Sequence, residues 1–301
     1  MIRVVTILFL LMCLTAGFIG GQTGDPRCHR STEGKEFWFG FMEGRNNSGN
    51  KYLEITVTAR EGAGFSIYIG KSATAFYTGN VQANNSVQVR IPKNLAEPTG
   101  SETIQEKGIR LVADKPVNVY ALNWDMNSAD VAVIYPSESI GTEYFAMCFE
   151  PNIHDNVNHG RNSEFLIVAA HDVTKITITP SKITDAGRPA NLPFSITLNK
   201  GEVYQVQSAN QRNLFGQGDL TGSYIESDKP VAVYSGSYST TVPAESGMSG
   251  YDHLYEQVPP VPAWGREYYA VPLLTRQADR YRVMASADKT RILIGNRPPV
   301  L

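Results

Sequence analysis

His154, Asp155 and His159 stand within six positions of one another, with His171 and Asp172 close behind. Imidazole and carboxylate side chains hold zinc when the backbone fixes their spacing. The His154-to-His159 interval runs through an Asn-rich stretch rather than a helix, so no geometry is imposed and ordinary polar loop residues explain it. Asp125, Asn127 and Asp130 offer oxygens for calcium, but the glycine and terminal Glu of an EF-hand loop are missing. Gly70-Lys71-Ser72 has the ending of a phosphate loop. The first glycine of such a loop belongs at position 65, which is Phe65, and no helical pattern follows, so the segment reads as a turn. No Gly-x-Ser-x-Gly elbow is present. Cys148 has no His at a telling distance, and no carboxylate pair stands in a catalytic setting. The sequence assigns no catalytic, cofactor or metal residue and points away from an enzyme.

One carboxylate does recur. Gly34-Lys35-Glu36-Phe37-Trp38 returns as Gly141-Thr142-Glu143-Tyr144-Phe145 and again as Gly265-Arg266-Glu267-Tyr268-Tyr269. A catalytic acid rarely appears in every copy of a repeat. The Glu is expected to accept hydrogen bonds from a nearby turn or to pair with a base. A second phrase keeps step: Val112-Ala113-Asp114-Lys115-Pro116-Val117-Asn118-Val119-Tyr120 matches Glu226-Ser227-Asp228-Lys229-Pro230-Val231-Ala232-Val233-Tyr234. Repetition at this period marks a serial array of similar modules.

The elements that carry these phrases read as strands. Leu53, Ile55, Val57 and Ala59 alternate with Glu54, Thr56 and Thr58; Val87, Val89 and Ile91 alternate with Gln88 and Arg90. Ile176 and Ile178 flank Thr177, and Tyr204 and Val206 alternate with Gln205 and Gln207. Period-two alternation makes half-buried strands. Tyr281–Ala285 and Thr290–Ile294 read as a further strand pair. Asp-Lys-Pro is expected to be a turn, because Pro fixes φ and extends the residue before it. The expected fold is all-β: tandem β-sandwich-like modules at 34–140 and 141–264, with 265–301 the start of a third, incomplete repeat. Asp114 to Gly141 spans 27 residues and Asp228 to Gly265 spans 37, which places about ten extra residues around Ser235–Tyr251. Long loops on sandwiches often bind, and Ser, Gly and Tyr suit that work. Tyr238, Met248 and Tyr251 are the loop's candidate ligand-binding residues, with a solvated connector as the alternative.

Compartment follows from the first residues. Arg3, the apolar run Val4–Leu14 and the small residues to Gly21 make 1–21 a signal peptide, too short to span a bilayer. No membrane insertion is expected after its removal. Cys28 and Cys148 remain, and Cys148, inside Phe145–Phe149, reads as a small buried residue. With Lys plus Arg at 27, Asp plus Glu at 29 and no basic cluster, nucleic-acid binding is not expected.

Gly141–Phe145, the two Asp-Lys-Pro-Val-x-Val-Tyr strands, and above all Asp252-His253-Leu254-Tyr255-Glu256-Gln257-Val258-Pro259-Pro260-Val261-Pro262-Ala263-Trp264-Gly265 resemble the N-terminal domain of IgGFc-binding proteins. The resemblance covers roughly 34–301. It implies a β-rich region, secreted or displayed on a cell surface, that binds a protein or glycoprotein; immunoglobulin Fc and mucin are the partners it suggests. Animal members carry cysteines before the Glu-Gln segment, whereas Ser235–Tyr251 has none. On that feature the chain is expected to stand closer to bacterial secreted or surface members. A structural spacer in a larger surface protein, or an accessory region of a secreted hydrolase, are the alternatives.

Overall fold

The computed structural model describes residues 31–44, 51–151, 162–209, 218–243, 250–275 and 279–295. Residues 1–21, Cys28, His154, Asp155, His159 and Met248, each named above, lie outside them. The architecture is all-β. Among the described residues the one α-helical segment, α1 (Lys93–Ala96), is a single turn. No helix among the described residues is long and apolar enough to cross a membrane.

The first sheet is organised by one long strand. β1 (Gly34–Phe39), β2 (Tyr52–Ala59), β3 (Ala63–Ile69), β4 (Tyr77–Val81) and β5 (Asn85–Ile91) precede β6 (Ile104–Gln105), β7 (Ile109–Asp125) and β8 (Ser128–Ile134). The first half of β7 pairs with β1 and β3, and the second half with β2 and β8. One 17-residue strand therefore serves two limbs, β1-β7-β3-β4 and β8-β7-β2-β5, that fold over a common core. The second sheet repeats this order. β9 (Gly141–Phe145), β10 (Ser163–Ala169), β11 (Thr174–Thr179), β12 (Phe194–Leu198) and β13 (Val203–Gln207) lead to the 17-residue β14 (Tyr224–Thr240) and to β15 (Asp252–Val258). Its limbs are β9-β14-β11-β12 and β15-β14-β10-β13. β6 leaves the first sheet to pair with β13 at the edge of the second.

The two repeated phrases turn out to be opposite sides of one bulged ladder. Gly34 faces Val117 and Glu36 faces Val112, so five steps along β7 meet two along β1. Gly141 and Glu143 face Val231 and Glu226 with the same mismatch. Asp-Lys-Pro fills the excess in each case. It is not a turn, as its sequence suggested, but a bulge inside a strand. Pro lacks the N–H that a ladder needs, and a bulge is where that lack is tolerated. The bulge also bends the strand from one limb into the other.

Glycine at the start of each phrase is a packing requirement. A Cβ on Gly34 would lie 2.2 Å from Pro136 Cβ, and one on Gly141 would lie 2.6 Å from Pro260 Cβ. Pro136 and Pro260 each introduce a 3-10 turn, Ser137–Ser139 and Val261–Ala263, directly after the last strand of their sheets. The first and last strands of each unit thus close on a glycine–proline contact.

The sheets share apolar interior. Phe165, Ile167, Val231 and Val233 belong to the second sheet's own core. Their neighbours Leu166, Val168, Ala232, Tyr234, Val203 and Tyr255 join the core of the first sheet with Phe37, Phe41, Met42 and Val119. β10 and β13 are buried on both faces for this reason, so Gln205 and Gln207, which alternation placed on an open face, are buried. Each Leu or Val so covered contributes about 1.5–3 kcal/mol.

Two further expectations are corrected. Ser235–Thr240 is the end of β14, so only residues 241–251 connect it to β15. Tyr281–Ala285 and Thr290–Ile294 form no strand pair; the described part of 265–295 lies on the surface without a ladder. Ile292 makes a single β-bridge, but among the described residues neither segment runs in a ladder.

Candidate functional site

Alternation on β2 sends Leu53, Ile55 and Val57 inward and leaves Tyr52, Glu54 and Thr56 on the outer face of the limb β8-β7-β2-β5. Register places Tyr52 beside Trp124, Glu54 between Leu122 and Arg90, and Tyr120 between Thr56 and Val133. The Tyr52 and Trp124 rings stack at 4.7 Å, and the Arg90 guanidinium lies 4.0 Å from the Tyr52 ring centre. Arg90 Nε also donates to Glu54 Oε2 at 3.1 Å. Val131 is 49% exposed beside Leu122, and Met126 is 60% exposed at the tip of the β7–β8 hairpin. Trp, Tyr and Arg with flanking aliphatics make the composition that dominates protein-binding hot spots. Ring stacking and the cation–π contact hold these side chains in place before a partner arrives, which lowers the entropy cost of association.

The matching face of the second sheet is covered by protein. Glu164 pairs with Gln207 as Glu54 pairs with Arg90, and Tyr234 lies between Leu166 and Gln257 as Tyr120 lies between Thr56 and Val133. Across this face runs the segment Gly40–Glu43 that follows β1. Tyr255 Oη donates to Gly40 O at 2.7 Å, Phe41 stacks on Tyr255 at 6.0 Å, and Glu43 N donates to Gln205 Oε1 at 2.9 Å. A Cβ on Gly40 would come within 3.0 Å of Leu166 Cδ2.

Buried charge lines the same seam. Lys51 donates to Gly44 O at 2.8 Å and pairs with Glu97, whose carboxylate also receives Lys93 at 3.0 Å and the Gly44 N–H at 3.0 Å. Burial pulls Lys51 and Lys93 each down to about 8. Glu164 accepts from Gln207 Nε2 at 2.8 Å, while its other oxygen has no hydrogen-bond partner; burial holds its carboxyl well above the usual carboxylate range. His253 is neutral, pushed down to about 3 by burial, with Nδ1–H aimed at Ser237 O at 3.0 Å. Lys51, Glu97, Glu164 and His253 are closed to solvent, and Lys93 stays partly exposed at the edge of the cluster.

The residues named from sequence are dispersed. Tyr238 is a strand residue of β14, half-buried, its N–H given to Asn162 O at 2.9 Å. Tyr251 is half-buried just before β15. Asp130 spends its oxygens on the N–H groups of Tyr255 and Val131, at 2.8 and 2.9 Å. Asp125 is buried, and Asn127 sits in the β7–β8 turn. Asp172 Oδ1 accepts from Lys200 N, and His171 O accepts from Thr174. Among the described residues no group of three or more His, Cys, Asp or Glu could hold a metal ion. Gly70 is a positive-φ turn residue, and Lys71 bridges to Glu202 of the second sheet at 2.5 Å. Cys148 is a free buried thiol that donates to Glu164 O, and burial pushes it up. Glu36 accepts from Arg110 Nε at 2.7 Å and Glu143 from Tyr224 Oη at 3.0 Å, each partner lying on the long strand. Tyr52, Arg90 and Trp124 were missed. Their signal was an aromatic at the polar phase of an alternating strand, visible only once β2 and β7 are known to be neighbours.

Comparison with known proteins adds three findings. The family described as IgGFc binding protein matches residues 130–300, more than half of the chain. A human protein named IgGFc-binding protein is 30% identical over 201 residues, covering 66% of this chain and 3% of the human one. No solved structure matches.

Proposed function

The chain belongs to the IgGFc-binding protein family, and from that premise we propose that it is an exported, non-enzymatic region that captures an extracellular glycoprotein through the outer face of the first sheet. The observation that carries this reading is the ordered Tyr52–Trp124–Arg90 cluster on a face whose counterpart in the second sheet is covered by protein. The fold thus uses this surface for protein contact once already. Fc of immunoglobulin G is the first candidate ligand, from the family description and the human relative's name, and mucin glycoprotein is the second. The chain spans 3% of that relative, so the longer protein's full activity is a separate matter. Placement nearer bacterial members rests on the cysteine-free Ser235–Tyr251 segment alone, and the relative found is human.

A spacer role is the second reading, favoured by the shared core that joins the sheets rigidly. A pull-down with the purified chain against Fc and mucin glycoprotein separates the two. Capture of either by the wild type supports the binding reading. Capture of neither sinks it and leaves the spacer.

A further inference from the structure

Residues 265–295 repeat, at matching places, local features of the second sheet. Gly265 N–H donates to Tyr268 Oη at 2.8 Å as Gly141 N–H donates to Tyr144 Oη at 2.6 Å. Thr290 Oγ1 donates to Ala287 O at 2.7 Å as Thr174 Oγ1 donates to His171 O at 2.8 Å. Lys289 has φ 61° and Val173 has φ 51°, one residue before those threonines. A β-branched Val at positive φ is uncommon, so the same conformation at two matching sites is a feature of the repeat rather than of either sequence.

The seating is repeated too. Counted back from the positive-φ residue, Arg282 holds the place of Leu166. Leu166 packs on Gly40, in the segment that follows β1. Arg282 packs on the segment that follows β9: it donates to Cys148 O, its guanidinium lies 5.2 Å from the Phe149 ring centre, and it reaches Asp219 at 2.9 Å. Cys148 stands seven residues after Gly141, one place beyond the match of Gly40, which stands six after Gly34. Over this segment apolar side chains are bare: Tyr268 is 73% exposed, Val283 63% and Ile294 55%. In the second sheet their equivalents Tyr144, Ile167 and Ile178 are fully buried, and Tyr144 Oη donates to Val231 O of β14 at 2.7 Å.

We propose that residues 265–295 are the opening strands of a third repeat, docked on Met147–Glu150 as the second sheet docks on Gly40–Glu43. The occupant of their bare face is a long strand of the β7 and β14 kind, bent by an Asp-Lys-Pro bulge. Its register is fixed: the residue after Pro faces Gly265, and the fifth residue before that one faces Glu267. Glu267, which now accepts from Tyr269 Oη at 2.7 Å, takes its partner from that strand, as Glu36 and Glu143 do.

The test supplies the strand covalently, so that weak association cannot hide it. The full chain is extended after Ile294 with a second copy of its own residues 179–264, and hydrogen exchange is followed by mass spectrometry. Amides of 266–269 and 281–293 slow at least tenfold relative to the unextended chain. Deleting the second copy of Asp228-Lys229-Pro230 returns 266–269 to fast exchange. Exchange unchanged by the extension, or protection indifferent to the deletion, overturns the proposal. In the unextended chain, Arg282→Ala speeds exchange at 280–284 at least threefold; no change there overturns the docking on Cys148.

Discussion

Gly34 and Gly141 are the residues on which each unit closes. Gly141→Ala drives a methyl into Pro260, an overpacking of about 1–3 kcal/mol that lowers the melting temperature by about 2–4 °C for each kcal/mol in scanning calorimetry. Gly265→Ala changes it by less than about 1 °C, since the nearest atoms to an added Cβ there are 3.6 Å away. The seam carries a pH signature of two opposite signs. Glu164 keeps its proton in the folded chain above the value near 4.5 at which the unfolded chain loses it. Its cost is absent below about 4.5 and grows as pH rises toward the folded value. Glu164→Gln therefore raises the melting temperature at pH 8 by about 2–4 °C and leaves it unchanged at pH 4. His253 works the other way: the unfolded imidazole takes a proton near 6.5 and the buried one only near 3, so stability is lost as pH falls through that window. His253→Gln flattens that acid limb in the same melting series.

At the scale of elements, the β14–β15 connection separates two accounts of binding. Trimming Val242–Gly250 to a two-residue turn, of the length at Met126-Asn127 in the β7–β8 hairpin, leaves ligand capture by the Tyr52–Trp124 face unchanged. Loss of capture would return the site to the loop around Tyr251. Much of this level was legible in the chain itself. The alternation of β2 and β11 named their buried residues because one face of each meets solvent. β10 hid its role: Glu164-Phe165-Leu166-Ile167-Val168 shows no alternation, since its two faces serve two cores. Gln205 and Gln207 look solvent-facing, but both hydrogen-bond Glu43 across the seam, and Gln207 also donates to Glu164 beside it on β10. Asp-Lys-Pro reads locally as a turn, and only the pairing of β1 and β9 with the long strands reveals a bulge. The Tyr52–Trp124–Arg90 cluster was hidden for the same reason, because adjacency across a sheet is a property of topology rather than of any one strand.

At the largest scale the described residues form two like sheets welded by a common interior, with one copy of a repeated geometry covered and the other bare. A shared core should make the sheets unfold together: the expected calorimetric outcome is one transition whose van't Hoff and calorimetric enthalpies agree, and two resolved transitions would mean the seam is weak. The bare copy is the proposed recognition face. The most direct measurement is surface plasmon resonance over immobilised immunoglobulin G Fc and mucin glycoprotein, with wild type beside Trp124→Ala/Arg90→Ala. Hot-spot truncation costs about 2 kcal/mol or more. The expected result is wild-type binding to at least one surface and at least tenfold weaker binding by the double variant, at a melting temperature within about 3 °C of wild type. Equal binding by both proteins, or no binding by the wild type, contradicts it.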